Sequence, residues 1–308
     1  MIRIELQIEL NYEIDGNGAD FVFNVHAAQT PSQAISGESL TLSQAIPQRL
    51  NTAAITGNRN LYVRAQPGDL KLSYAATVDL NHHLADPAQV AEVAIHDLPP
   101  DVIGYIYPSR YCQSDRLIKL ANNEFGRLPQ GYLRVQAIRD WVNNHVAFTF
   151  NSSNSKTSAV DTLVEQVGVC RDFAHLMIAL CRAINIPARF VTGTDYGADP
   201  SLGPSDFHAY VEVYLGYRWY IFDPSNTGIP MGYVRVGTGR DAADVAFATI
   251  FGGVRTHAAV IRAVAITDPA NDLVLPQHCP EALSTDSGTV PPVVANDQSG
   301  GNSQPMLW

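Results

Sequence analysis

The chain has 308 residues, of which 46% are apolar and 16% charged, enough for a sizeable core and, by length, for two domains. A net charge of −10 argues against nucleic acid or an anionic membrane as partner, since both attract basic patches. The opening MIRIELQIEL alternates instead of forming the apolar run of a signal peptide, and no stretch approaches the roughly 18 apolar residues of a membrane span, so a cytoplasmic location with reduced thiols is expected.

In chain order, Ile2, Ile4, Leu6, Ile8 and Leu10 alternate with polar residues at the period of a half-buried strand. ADFVFNVHA, ESLTLSQ, NLYVRAQ and KLSYAATVDL follow, separated by the turn clusters DGNG, SGES and TGNRN. This spacing predicts an antiparallel β-sandwich domain over residues 1–100, its strands within the first 82 residues, and 83–110 read as a linker with one helical turn. Helical periodicity takes over at 115–126 and 130–146, where Ile138, Trp141, Val142 and His145 share a face. Ser158 and Asp161 form a capping-box pattern that opens a short helix, with Gly168 as its stop. After Cys170 a further helix lines up Phe173, Leu176, Met177, Leu180 and Ile184, and Pro187 ends it. ARFVTGTDY, DFHAYVEVYL, RWYIFDP and HAAVIRAVAI read as strands. Residues 101–272 therefore form an α+β unit, and 273–308 are a Gly, Ser and Pro-rich tail expected to be mobile.

Four cysteines, Cys112, Cys170, Cys181 and Cys279, make no CxxC pair, so neither a zinc knuckle nor a disulfide framework is indicated. Cys181 falls beside the apolar stripe of its helix and reads as a small buried hydrophobe. Cys170 lies behind Gly168 at a helix start, where unpaired N–H groups and the helix dipole favour a thiolate. A nucleophilic thiolate needs a base and a group to orient that base. If Gly216-Tyr217 is a two-residue hairpin turn, Leu215 pairs with Arg218 and Tyr210 lies opposite Asp223. His208 is then diagonal to Asp223 on the same face, within side-chain reach, with Glu212 and Tyr214 also on that face.

GVCRDFAHL, DFHAYVEV and WYIFDP, in this order, resemble the three motifs of the transglutaminase-like superfamily. PSRYC at 108–112 and GRDAADVA at 239–246 are similar to segments of its bacterial branch, in which a β-rich domain precedes a papain-like core. The resemblance implies helices packed on an antiparallel sheet. It also implies Cys170 as nucleophile, His208 as general base and acid, and Asp223 as orienting carboxylate. The activity so implied is acyl transfer on peptide or glutamine-type amides through a thioester, ending in hydrolysis, deamidation or transamidation. The partner would be a protein or peptide substrate.

The Cys170 N–H is the first expected oxyanion donor. Tyr111 and Trp141 are candidates for the second, because Val164 stands where papain-type enzymes carry glutamine, and Gly168 would let the backbone approach a substrate. Arg171 and Asp172 are expected to hold the helix start, and His175 to pack. Asp241 and Asp244 are read as loop and cap residues that could also line a cleft. His82, His83 and His96 lack a metal-ligand pattern, and there is no EF-hand loop, P-loop or Rossmann glycine run, so no metal and no cofactor are expected. Two alternatives stand beside the enzyme. One is a catalytically silent scaffold of the same fold; the other is a sandwich that binds a protein or polymer partner. The loop 194–206 precedes the His208 strand as a candidate lid.

Overall fold

Alternation along the first residues yields a long strand, Ile2–Ile14 (β1), whose even-numbered side chains are all buried. A computed structural model describes residues 1–54, 56–198, 206–286 and 288. Ala19–Phe23 (β2), Gln33–Leu42 (β3), Gln48–Thr52 (β4), Arg59–Ala65 (β5), Gly68–Leu80 (β6) and His83–Ala85 (β7) follow. β6 is antiparallel to β1, pairing Ile2 with Leu80 and Ile8 with Tyr74, so both strands turn their apolar sets to one side. Phe21, Phe23, Leu61 and Val63 from the β2–β5 sheet join those sets in a single sandwich core. β4 has no counterpart in the sequence reading because all five of its residues are exposed and none alternates. The linker holds three 3₁₀ turns, Pro87–Gln89, Ile95–Asp97 and Ile103–Ile106, where one was expected.

The helices Ser114–Phe125 (α1) and Tyr132–His145 (α2) precede Ala147–Phe148 (β8), Ala159–Glu165 (α3) and Val167–Gly168 (β9), with β9 parallel to β8. α3 starts at the expected capping box, the Ser158 N–H donating to Asp161 at 2.9 Å. It stops at Gln166, which takes the left-handed conformation (φ 56°), before Gly168 is reached. Cys170–Ala183 (α4) is buried on every side from Asp172 onward, with α1, α2 and α3 packed around it. It lies on a sheet built from Ala188–Thr194 (β10), Phe207–Leu215 (β11), Arg218–Phe222 (β12) and Val234–Gly239 (β13), in the order β12-β11-β10-β13. Ala209, Val211, Val213 and Leu215 of β11 face the helix core, whereas Tyr210 packs with Val191, Ile221 and Tyr233. The expected α+β arrangement of helices packed on an antiparallel sheet is present.

After Ala242–Val245 (α5) the chain returns to the first domain. Ala248–Phe251 (β14) pairs with β2, and Val254–Thr256 (β15) and Val260–Ile266 (β16) pair with β1. Residues 248–266, which the sequence reading left inside 101–272, thus complete the sandwich: alternation marks a strand but carries no information on its partner. Ala282–Ser284 (β17) pairs with β7 and buries Leu283, so the first part of the 273–308 stretch is ordered structure. Residues 289–308 lie outside the described residues. Among the described residues, no helix is long and apolar enough to cross a membrane.

Candidate active site

Helix α4 begins where two side chains hold its first turn. The Val169 N–H donates to Asp172 Oδ2 at 2.9 Å, and Arg171 reaches Asp172 Oδ1 at 3.2 Å, Ser153 Oγ at 2.6 Å and the Asn154 carbonyl at 2.7 Å. Arg171 and Asp172 therefore fasten the helix start, as the sequence suggested. A Cβ on Gly168 would stand 2.8 Å from the Asp172 Cβ, so this glycine makes room for the capping carboxylate. Cys170, at the first helical position, is partly exposed, and its N–H has no acceptor within the helix.

The β11–β12 hairpin supplies the facing groups. Leu215 pairs with Arg218, and Gly216 and Tyr217 both have positive φ (51° and 61°), a two-residue turn of the kind that matches strand twist. The register sets His208 Nε2 3.1 Å from Asp223 Oδ2, with both side chains buried. The Tyr233 hydroxyl donates to the same oxygen at 2.5 Å, and the Ser225 N–H and Oγ donate to Oδ1 at 2.9 and 2.6 Å. Burial pushes the Asp223 carboxyl up, but the His208 charge and these donors outweigh it and hold the group at about 2. Burial opposes the imidazolium of His208 too, yet the Asp223 charge and hydrogen bond, with the nearby Cys170 side chain, raise it well above its ordinary value. Gly193 lies across from His208 on β10 at a bulge, and a Cβ there would meet the Val234 carbonyl at 2.5 Å. Its absence lets the start of β13 close in, bringing Tyr233 to Asp223.

Cys170 and His208 open onto a cavity of about 560 Å³ with Phe148, Phe150, Phe190 and Phe207 in its walls. This is a largely apolar cleft with a thiol and an imidazole in its walls, the imidazole backed by the buried Asp223 carboxylate.

Residues 119–224 match the model of the transglutaminase-like superfamily, and residues 2–101 that of the bacterial transglutaminase N-terminal domain. A solved structure described as a "putative cysteine protease" from Cytophaga hutchinsonii is 39% identical to this chain. The two align with a TM-score of 0.85 over 92% of this chain and 97% of that one. The chain belongs to the transglutaminase-like superfamily. The family match and this neighbour support a cysteine-enzyme class. Among curated proteins it is 28% identical over 146 residues to the uncharacterised protein ML0607 of Mycobacterium leprae, matching 46% of this chain and 52% of that one. It is also 34% identical over 125 residues to Rv2569c of Mycobacterium tuberculosis, matching 36% of this chain and 40% of that one. The chain thus spans about half or less of the length of these curated relatives.

In this transglutaminase-like chain the other candidate residues separate clearly. Tyr111 lines the cleft, but its hydroxyl donates to the Ser155 carbonyl at 2.8 Å and its ring stacks on His175. Trp141 is outside the cleft lining: it packs edge-on to Phe125 and stacks on His145 at 3.7 Å, so it offers no oxyanion donor. Gly168 does not line the cleft either, for the packing reason given above. His175 is fully buried, and burial with nearby Arg171 and Arg182 keeps it neutral. Asp241 caps α5 and accepts the Tyr111 N–H, and Asp244 pairs with Arg240. Glu212 is held by Arg189 and Arg235. Burial pushes the Cys112 thiol up to about 12 and raises Cys181 further, the behaviour of packed thiols. Among the described residues no group of His, Cys, Asp or Glu is arranged to hold a metal. The loop 194–206 lies partly outside the described residues.

The sequence reading missed Ser225 and Tyr233. Ser225 had a local signal, because an Asp accepting from the N–H two residues on is an Asx turn. Tyr233 had none, since its approach depends on the bulge at Gly193.

Proposed function

We propose that this chain catalyses cysteine-dependent acyl transfer on peptide or glutamine-type amides, with Cys170, His208 and Asp223 as the working triad. The observation that carries this reading is a buried His208 bonded to Asp223 at 3.1 Å, in the wall of the cleft that the Cys170 side chain also lines. The Cys170 sulfur attacks the amide carbonyl carbon, and the resulting oxyanion accepts from the Cys170 N–H at the start of α4. The proton held by His208 passes to the leaving nitrogen, so an amine or ammonia departs and a thioester remains. Water, or a second amine, then attacks the thioester while His208 takes its proton, and the thiol is restored. Asp223 fixes the imidazole orientation and supports its charge throughout. The substrate is a protein or peptide, with hydrolysis or deamidation the favoured outcome.

An electrophilic peptide-amide probe followed by peptide mapping tests this directly. One adduct is expected, at Cys170 and not at Cys112, Cys181 or Cys279, and Cys170→Ala is expected to abolish turnover of peptide amides. No adduct at Cys170, or full activity in Cys170→Ala, would sink the proposal and leave a scaffold.

A further inference from the structure

Between Arg189 and Arg218 the sequence contains no lysine or arginine, yet it carries Asp195, Asp199 and Asp206. Asp195 and Asp206 line the same cleft as Cys170 and His208. Every lysine and arginine of the chain is a described residue, and none forms an ion pair with either carboxylate. Among the cleft-lining residues Arg171 is the one guanidinium, and it is taken up by Asp172, Ser153 and Asn154. Asp195 is half-buried, and burial pushes its carboxyl up against the opposing charge of His208, whereas Asp206 is exposed and its Oδ1 accepts the Phe207 N–H at 2.7 Å. The walls add aromatic faces: Phe207 stacks on Phe247 at 4.4 Å, and Phe148 meets Phe150 edge-on at 5.3 Å. Such faces attract alkylammonium and guanidinium groups as well as apolar stems. A half-enclosed cleft with surplus negative charge and aromatic walls is incomplete without a cation.

We infer that the cleft selects acyl donors carrying an ammonium or guanidinium side chain beside the reacting amide, with Asp195 the specificity-determining carboxylate and Asp206 a weaker second one. The inference rests on the acyl-transfer reading above and adds the substrate's charge to it. A lysine or arginine side chain would lay its methylene stem along the phenylalanines and bring its charge to Asp195. Asp195 also lies within electrostatic reach of His208, so a competing role is support of the imidazole. The two roles differ in what they discriminate: support of His208 acts on every donor alike, whereas a counter-charge acts on cationic donors alone.

The test uses the full chain and peptide amides that differ only in carrying lysine, norleucine or glutamate next to the reacting amide. The lysine donor is expected to have the highest kcat/KM, and Asp195→Asn to lower it about 10- to 100-fold while leaving the norleucine donor within about twofold. Asp206→Asn is expected to act in the same direction and less strongly. In Cys170→Ala, where no turnover occurs, calorimetry should show tighter binding of the lysine peptide, and Asp195→Asn should remove that difference. This binding arm separates failure of the charge preference from failure of the acyl-transfer chemistry, which the labelling of Cys170 reports. Equal losses for all three donors would make Asp195 a positioning residue for His208 and overturn the inference. A loss confined to incorporation of free amines would place the cation on the acceptor and overturn it as well.

Discussion

The sheet under α4 holds two buried carboxylates, Glu212 on β11 and Asp223 just past β12, and each is neutralised differently. Glu212 accepts from Arg189 at 2.6 Å and Arg235 at 3.2 Å, and Arg189 also lies over the Trp219 ring at 4.1 Å. Burial pushes Glu212 up, and the two guanidinium charges more than reverse that. Its partners do not titrate, so this cluster is a fixed tie between β10, β11 and β13. Asp223 instead faces an imidazole, the side chain that gains and loses a proton near neutral pH. One sheet thus carries a permanent ion cluster that ties its strands and a pair whose histidine can titrate.

The largest expected effect breaks the titratable pair. Asp223→Asn keeps the shape but removes the charge that sustains the His208 imidazolium, so kcat should fall about 10³–10⁴-fold in a peptide-amide assay. The sign of the pH effect follows from the cited causes. His208 is raised by Asp223 against burial, so in the native chain the alkaline limb of kcat/KM should lie above the ordinary histidine value of 6.5. Without the carboxylate, the largest influence opposing burial is gone, only the weaker one of Cys170 remains, and the limb should move down. A variant with unchanged activity and an unmoved limb would remove the distinction between the two carboxylates.

Breaking the permanent pair should cost stability, not chemistry. Glu212→Gln leaves Arg189 and Arg235 without their buried counter-charge, a loss of about 3–5 kcal/mol in urea denaturation. Activity per folded molecule should stay within a fewfold of the native value. If Glu212→Gln silenced the enzyme while leaving the unfolding midpoint in place, Glu212 would belong with the site.

What could be read from sequence follows the range of the physics involved. The His208–Asp223 approach was legible because a two-residue turn fixes hairpin register, and register fixes which side chains share a face. The capping box at Ser158 and the Arg171–Asp172 fastening were legible because capping acts within one helical turn. The packing part that Gly168 plays was not legible, because it depends on how the Asp172 side chain folds back over the helix start. Trp141 was misplaced for a similar reason, since helical periodicity gives a face but not the element that face meets. The return of β14–β16 to the sandwich, the burial of Leu283 and the contact of Tyr233 with Asp223 all arise from segments far apart in sequence.

Tyr233 offers the finest test of the comparison. Its hydroxyl shares Asp223 Oδ2 with His208 Nε2, so it draws off part of the negative charge that the imidazole would otherwise feel. Tyr233→Phe removes that competitor and leaves the ring packing against Tyr210 and His208 in place. The carboxylate then interacts more strongly with His208, and the alkaline limb should move up, opposite in direction to Asp223→Asn. The loss of one anchoring hydrogen bond should also lower kcat by roughly tenfold, with KM little changed, because the bond orients the carboxylate and does not touch substrate. An NMR titration of His208 in the two variants reads the two directions independently of turnover. Shifts of the same sign would mean that Tyr233 supports Asp223 only by packing.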